Sequence, residues 1–256
     1  MSAPLYAIYF VGIALEVCLL WRLASNGLWR VYGYLFSYLC YALLSAAAWF
    51  VILKIQPNFY YSRLYYNFYW GNELLNMVLR FFIIWEIFRL TFPKSSGSAS
   101  AINKGLLLFS LASALISAFW GYMTYAEFHS VYTALERSFS FVQAVITLGM
   151  LLVAGYYGLQ LGRNLWGIAV GFGVFASMLA ANNAIVDYLK HSFLPYFYVT
   201  PLSFVVMLGM WTWATWVQAP NPRTQISSAA ELDLELNRWA SDWNRTTSAV
   251  RRVTNP

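Results

Sequence analysis

The sequence predicts an all-α integral membrane protein: a seven-transmembrane-helix bundle with its N-terminus outside, its C-terminus in the cytoplasm, and a C-terminal amphipathic helix. Three observations predict it. Hydrophobic residues make up 60% of the 256-residue chain and charged residues only 10%, whereas a soluble surface requires roughly 25% charge. Seven apolar runs are long enough to cross a bilayer core about 30 Å thick, which takes roughly 20 helical residues because lipid offers no partner to an unpaired backbone group. Finally, Lys and Arg are scattered between those runs with a strong bias to one side.

The runs are 5–21, 31–53, 66–92, 105–123, 139–159, 165–186 and 196–217. The second, fourth, fifth, sixth and seventh carry no charge. The first carries Glu16, and the third carries Glu73, Arg80 and Glu86, with Arg89 at its inner end. The opening MSAPLYAIYF has no basic segment before its apolar stretch, so the first run is read as a retained span. Aromatic residues form 20% of the chain and cluster where apolar runs end, as side chains at headgroup level do.

Orientation follows from positive charge, which accumulates on cytoplasmic loops. With the N-terminus outside, the inner side holds Arg22, Arg30, Arg89, Lys94, Lys104, Arg163, Arg223, Arg238, Arg245, Arg251 and Arg252, against Lys54, Arg63, Arg137 and Lys190 outside. Residues 1–219 form the transmembrane domain and 220–256 a cytoplasmic tail. The net charge of +6 is dispersed rather than gathered into a patch, which argues against nucleic acid as a partner. Cys18 and Cys40 each sit within an apolar run and give neither a disulfide framework nor a metal spacing.

Ionisable residues inside a span are costly and mark functional positions by default. Glu73, Asn76 and Arg80 recur at three and four residues, one face of the third span; Glu136, Ser140, Gln143 and Thr147 do the same along the fifth; Asn182, Asn183 and Asp187 lie in the outer half of the sixth. Together they outline an outward-opening polar pocket whose ligand-binding residues are Glu73, Asn76, Arg80, Glu136, Gln143, Asn183 and Asp187, beneath the aromatic segment 60–70. The plainer use of Ser140, Thr147 and Asn182 is interhelical hydrogen bonding, each contact worth about 0.6 kcal/mol. Glu16 and Arg80 lie at similar depths, roughly 16 and 21 Å along their helices, so a structural ion pair between them is expected. Glu86 and Arg89, three residues apart, read as a helix-end contact, and Gly167 with Gly171 as a small-residue seam for close helix packing.

No catalytic constellation, metal-ligand spacing or cofactor motif stands out. His129 and His191 fall in outer loops, the seventh span lacks the Lys a retinal Schiff base requires, and the glycines of the sixth span follow no strand. Only Pro201 enters a span, so the broken helices frequent in transporters are not signalled.

In the tail, Ser228 and Glu231 have capping-box spacing, after which Leu232, Leu236, Trp239, Trp243, Thr246, Val250 and Val253 make one apolar stripe, with Arg251 and Arg252 at the favourable end of the helix dipole. The stripe suits the inner surface of an anionic membrane, or, less well, a second copy or protein partner. The expected function is therefore a non-enzymatic membrane sensor or receptor-like protein of the plasma or bacterial inner membrane, without a cofactor, that takes an apolar or amphipathic small molecule. A small transporter, or an accessory subunit of a larger membrane complex, is the alternative.

Overall fold

The computed structural model describes residues 3–55, 63–91, 128–156, 161–189 and 196–216, together with 234, 237, 238 and 241. Among these there are six long helices: α1 (Ala3–Ser25), α2 (Gly33–Ile55), α3 (Arg63–Thr91), α4 (Phe128–Tyr156), α5 (Arg163–Leu189) and α6 (Tyr196–Trp216). A short 3-10 turn, Leu28–Arg30, joins α1 to α2, entered through Gly27 at φ 66°, a left-handed conformation that favours glycine. The chain is all-α, and four of the helices hold stretches long and apolar enough to cross a membrane: Pro4–Ser25, Gly33–Ile52, Glu136–Tyr156 and Arg163–Ile185. It is a multi-pass membrane protein in contact with the lipid bilayer.

Helices α1, α3, α4 and α5 begin before the apolar runs that announce them, whereas α2 begins two residues after its run and α6 begins at the same residue as its run. The largest difference is in α4, which begins at Phe128 rather than near 139; the residues from 128 to 138 are polar enough to escape a hydropathy window yet continue the same helix. His129, expected in a loop, therefore lies in the first turn of α4. The expected span at 105–123 lies outside the described residues, as does the apolar stripe of the tail.

Each helix packs on the next around a closed ring, α1 on α2, α2 on α3, α3 on α4, α4 on α5, α5 on α6 and α6 back on α1, with α3 also touching α5. Contacts at several depths give the directions. Gly12 meets Val205 and Arg22 reaches the end of α6, so α1 and α6 are parallel. Tyr41 and Ser45 bond to Asn72 while Tyr34 stacks on Phe82, so α2 and α3 are antiparallel. Asn182 bonds to Thr200 and Trp211 to the Ile168 carbonyl, so α5 and α6 are antiparallel. Since α4 turns back into α5, helices α1, α3, α4 and α6 all run the same way.

The end at which α1, α3, α4 and α6 finish is bound by side chains that satisfy helix termini. Arg22 donates to the carbonyls of Thr215 and Trp216 and lies over the Trp216 ring at 5.6 Å. Arg163 lies 4.4 Å over Trp213 and donates to its carbonyl. Both supply positive charge at the negative end of α6. The Glu86 carboxylate receives the N–H groups of Tyr34 and Leu35, each at 3.0 Å, capping α2 from α3. Glu86 also lies in the field of Arg89, three residues on, so the expected helix-end contact is joined by the orphaned donors at the start of α2.

Most of the buried apolar core lies within about 14 Å of this capped end: Leu19, Leu23, Leu35, Leu39, Ile83, Ile87, Leu165, Ile168, Phe172, Met207, Leu208 and Trp211. The α5–α6 seam is its tightest part. A Cβ on Gly167 would stand 2.2 Å from the Ala214 Cβ, and one on Gly171 would stand 3.0 Å from the Trp211 ring, so the two glycines serve close packing as their spacing predicts. The outside of the bundle is apolar instead of polar: Phe50 is 70% exposed, Ile55 78% and Leu152 74%. Buried polar groups with exposed large hydrocarbons are what lipid, as the surrounding solvent, selects.

Candidate functional site

Farther from the capped end, beyond the apolar core, the interior becomes polar. Helix α3 holds Glu73, Asn76 and Arg80 on one face, and the same helix presents Leu74, Leu75, Val78 and Phe82 outward. This division explains how a segment so rich in charge can stay helical in an apolar shell: its charges turn inward. On α4, Ser140, Gln143 and Thr147 are buried, with Thr147 returning its hydroxyl to the Gln143 carbonyl at 2.7 Å. On α5, Asn182 is buried and donates to Thr200 of α6 at 3.0 Å, while Asn183 is half-buried beside it.

Arg80 is at the centre. It is 5% exposed, and one terminal nitrogen lies 3.9 Å from Glu136, whose side chain is 20% exposed. Its guanidinium also sits 5.7 Å over the Phe175 ring of α5. Glu73 lies within electrostatic reach of both Arg80 and Glu136. Helices α3, α4 and α5 therefore meet through one charged cluster. The fields of Glu73, Arg80 and Glu16 all reach the buried Tyr38 on α2, and Glu73 also acts on Tyr9 of α1 and Tyr41 of α2.

The expected Glu16–Arg80 ion pair is not formed. The guanidinium is drawn to the α4 and α5 side by Glu136 and Phe175, while Glu16, buried on α1, shares with it only the neighbourhood of Tyr38. Of the predicted ligand-binding residues, Glu73, Arg80 and Glu136 come together as one cluster; Asn76 shares the α3 face and is half-buried; Gln143 lies two turns from Glu136 on α4. Asp187 is in the last turns of α5, and its side chain lies outside the described residues.

Among the described residues, three polar side-chain atoms are buried without any hydrogen-bond partner: Arg80 Nε, Gln143 Nε2 and Asn183 Nδ2. All three are donors on residues that the spacing marks, one from each of α3, α4 and α5, which pack on one another. Stranding a buried donor costs about 1–3 kcal/mol, so each of the three is expensive unless an acceptor reaches it. Among the described residues no three His, Cys, Asp or Glu side chains gather in a metal-holding group.

Sequence reasoning missed two parts of this arrangement. The tyrosines Tyr9, Tyr38 and Tyr41 carry no periodic signature among so many aromatics. Asn72 accepts from Tyr41 Oη and Ser45 Oγ, both at 2.6 Å, and its place one residue before Glu73 was the available signal. No family model matches the chain, and neither a curated protein nor a solved structure matches it.

Proposed function

We propose that the chain is a seven-span, non-enzymatic membrane sensor or receptor-like protein that admits an apolar or amphipathic small molecule into the polar half of the bundle. The observation that carries this reading is that buried donors on α3, α4 and α5 have no hydrogen-bond partner among the described residues, in the half of the bundle that holds the charged cluster and lies above an apolar floor. Hydrogen-bond donors held ready in a water-poor interior are the recognition elements of a binding site.

Seven spans are supported by the parallel course of α3 and α4. A connection from the end of one to the start of the other has to travel the length of the bundle, and the uncharged apolar run 105–123 lies within it. Helix α3 qualifies by turning its charges inward, and α6 by carrying none, though its Trp, Tyr, Thr and Pro lower its hydropathy. An outer N-terminus and a cytoplasmic tail follow from the bias of Lys and Arg, in a plasma or bacterial inner membrane. That orientation puts the polar half outside and the capped end inside. In the tail, Leu234, Asn237, Arg238 and Ser241 are helical and exposed, and none of them belongs to the apolar stripe that the sequence spacing draws. This fits an amphipathic helix lying on the inner membrane surface and reporting the state of the bundle.

Native mass spectrometry of gently purified protein tests the reading. The wild type should retain a small molecule that Arg80→Ala and Gln143→Ala both lose. A wild type that carries none, or a molecule retained equally by both variants, contradicts it.

A further inference from the structure

The capped end of the bundle, opposite the polar half, carries a charge of its own. Among the described residues there, every cation is an arginine, Arg22, Arg30, Arg89 or Arg163, and the one acid, Glu86, is buried in its cap on α2. Two of the four are held on a single helical turn. Arg22, from the end of α1, gives Nε to the Thr215 carbonyl at 3.3 Å and a terminal nitrogen to the Trp216 carbonyl. Arg163, from the start of α5, lies 4.4 Å over the Trp213 ring and donates to the Trp213 carbonyl at 3.5 Å. The last turn of α6 therefore stands between two guanidinium groups, one from each of its neighbours α1 and α5. Arg163 is exposed and gives a single donor to a carbonyl, which leaves most of its planar fork for a ligand.

From that turn a row of α6 runs down into the lipid. Leu202, Val206, Gly209, Trp213 and Trp216 recur at alternating steps of four and three, one face of the helix. The four side chains are exposed, and a Cβ on Gly209 would meet nothing within 4 Å. The row is thus a strip of hydrocarbon with a notch at Gly209, ending at the two arginines. It is roughly 21 Å long, about half the thickness of a bilayer with its headgroups.

We propose that an anionic phospholipid occupies this place, with its phosphodiester at Arg163 and Arg22 and an acyl chain along the α6 row across Gly209. Charge selects the lipid, because a zwitterionic headgroup would bring its own cation among the arginines. Arginine suits the phosphodiester, since its fork receives two oxygens at once. Guanidinium groups already fixed on carbonyls and rings leave less ordering for binding to supply.

The test titrates the full chain in dodecyl maltoside with phosphatidylglycerol, with phosphatidylcholine of the same acyl chains, and with inorganic phosphate. Retained lipid is read by native mass spectrometry, beside thermal unfolding followed by tryptophan fluorescence. Phosphatidylglycerol should bind saturably at about tenfold lower concentration than phosphatidylcholine. Arg163→Gln should weaken phosphatidylglycerol about fivefold and leave phosphatidylcholine unchanged, and Arg163→Lys should weaken it less. Arg22→Gln should act likewise; where loss of its carbonyl bonds prevents folding, Arg163→Gln, on an exposed residue, carries the test. Gly209→Leu, which fills the notch, should weaken both lipids, and Lys54→Gln, at the other end of the bundle, should alter neither. Equal retention of the two lipids overturns the proposal, as does a shift reproduced by inorganic phosphate. So does a preference for phosphatidylglycerol that Arg163→Gln leaves intact, which would place the anionic lipid on the tail or elsewhere.

Discussion

Replacing Glu86 by alanine should be among the most damaging single changes in the molecule, although the residue lies far from the charged cluster. Its carboxylate is 2% exposed and accepts two backbone N–H groups of the first turn of α2, both at 3.0 Å. In water an uncapped helix end is repaired by solvent. Here the capped end is packed among Leu35, Ile83 and Ile87, where little solvent is at hand. Charge-assisted hydrogen bonds of this kind contribute about 1.5–3 kcal/mol each, so Glu86→Ala should cost about 3–5 kcal/mol. Glu86→Gln should lose roughly half as much, since its amide keeps one acceptor and turns the other position into a donor facing an N–H. Unfolding in mixed micelles with increasing dodecyl sulfate, read through the 12 tryptophans, measures both. Stability of Glu86→Ala within about 0.5 kcal/mol of wild type would refute the reasoning, because the donors of α2 would then be satisfied without the side chain.

Four further outcomes are expected. Gly167→Ala should destabilise by about 1–3 kcal/mol through overpacking against Ala214, and the reciprocal Ala214→Gly should restore most of the loss. Gly71→Ala, whose added methyl meets nothing within 4 Å, should be neutral or mildly stabilising in the same unfolding assay. Arg80→Ala should cost about 3–5 kcal/mol by leaving buried carboxylates unpaired, whereas Arg30→Ala, on an exposed residue, should cost little. A double change of Arg80 and Glu136 to leucine should recover part of the stability lost on removing Arg80 alone. A peptide of residues 227–253 should be largely disordered in water and become helical on anionic but not neutral vesicles by circular dichroism; helix formation that depends on concentration and ignores vesicles would make its stripe an oligomer seam.

The helices were legible because lipid imposes a single solution on backbone polarity, and an uncharged run such as 165–186 has few other readings. The polar faces were legible for the same reason, since a three-and-four spacing of Glu73, Asn76 and Arg80 fixes a common side of one helix whatever the rest of the fold. Which side chains then meet was not. Spacing along a helix says nothing about rotation against neighbours, so depth alone matched Glu16 to Arg80, while the observed partner, Glu136, depends on how α3 and α4 face each other. Glu86 was read only in part for a related reason. Its local neighbour Arg89 is visible in sequence, whereas the first turn of α2, about fifty residues away, becomes its partner only once α2 and α3 pack antiparallel. The early start of α4 was hidden because hydropathy sees apolar content and not helical continuity.

The central claim is that the polar half of the bundle is a site reached from outside. It is tested most directly by single cysteines in a chain whose native Cys18 and Cys40 are replaced by alanine, labelled in intact cells with a membrane-impermeant thiol reagent. The account predicts labelling at Glu73→Cys and Asn76→Cys, and none at Leu152→Cys on the 74% exposed lipid-facing surface or at Ser95→Cys on the cytoplasmic side. Failure of Glu73→Cys and Asn76→Cys to react while Ser95→Cys does would contradict it.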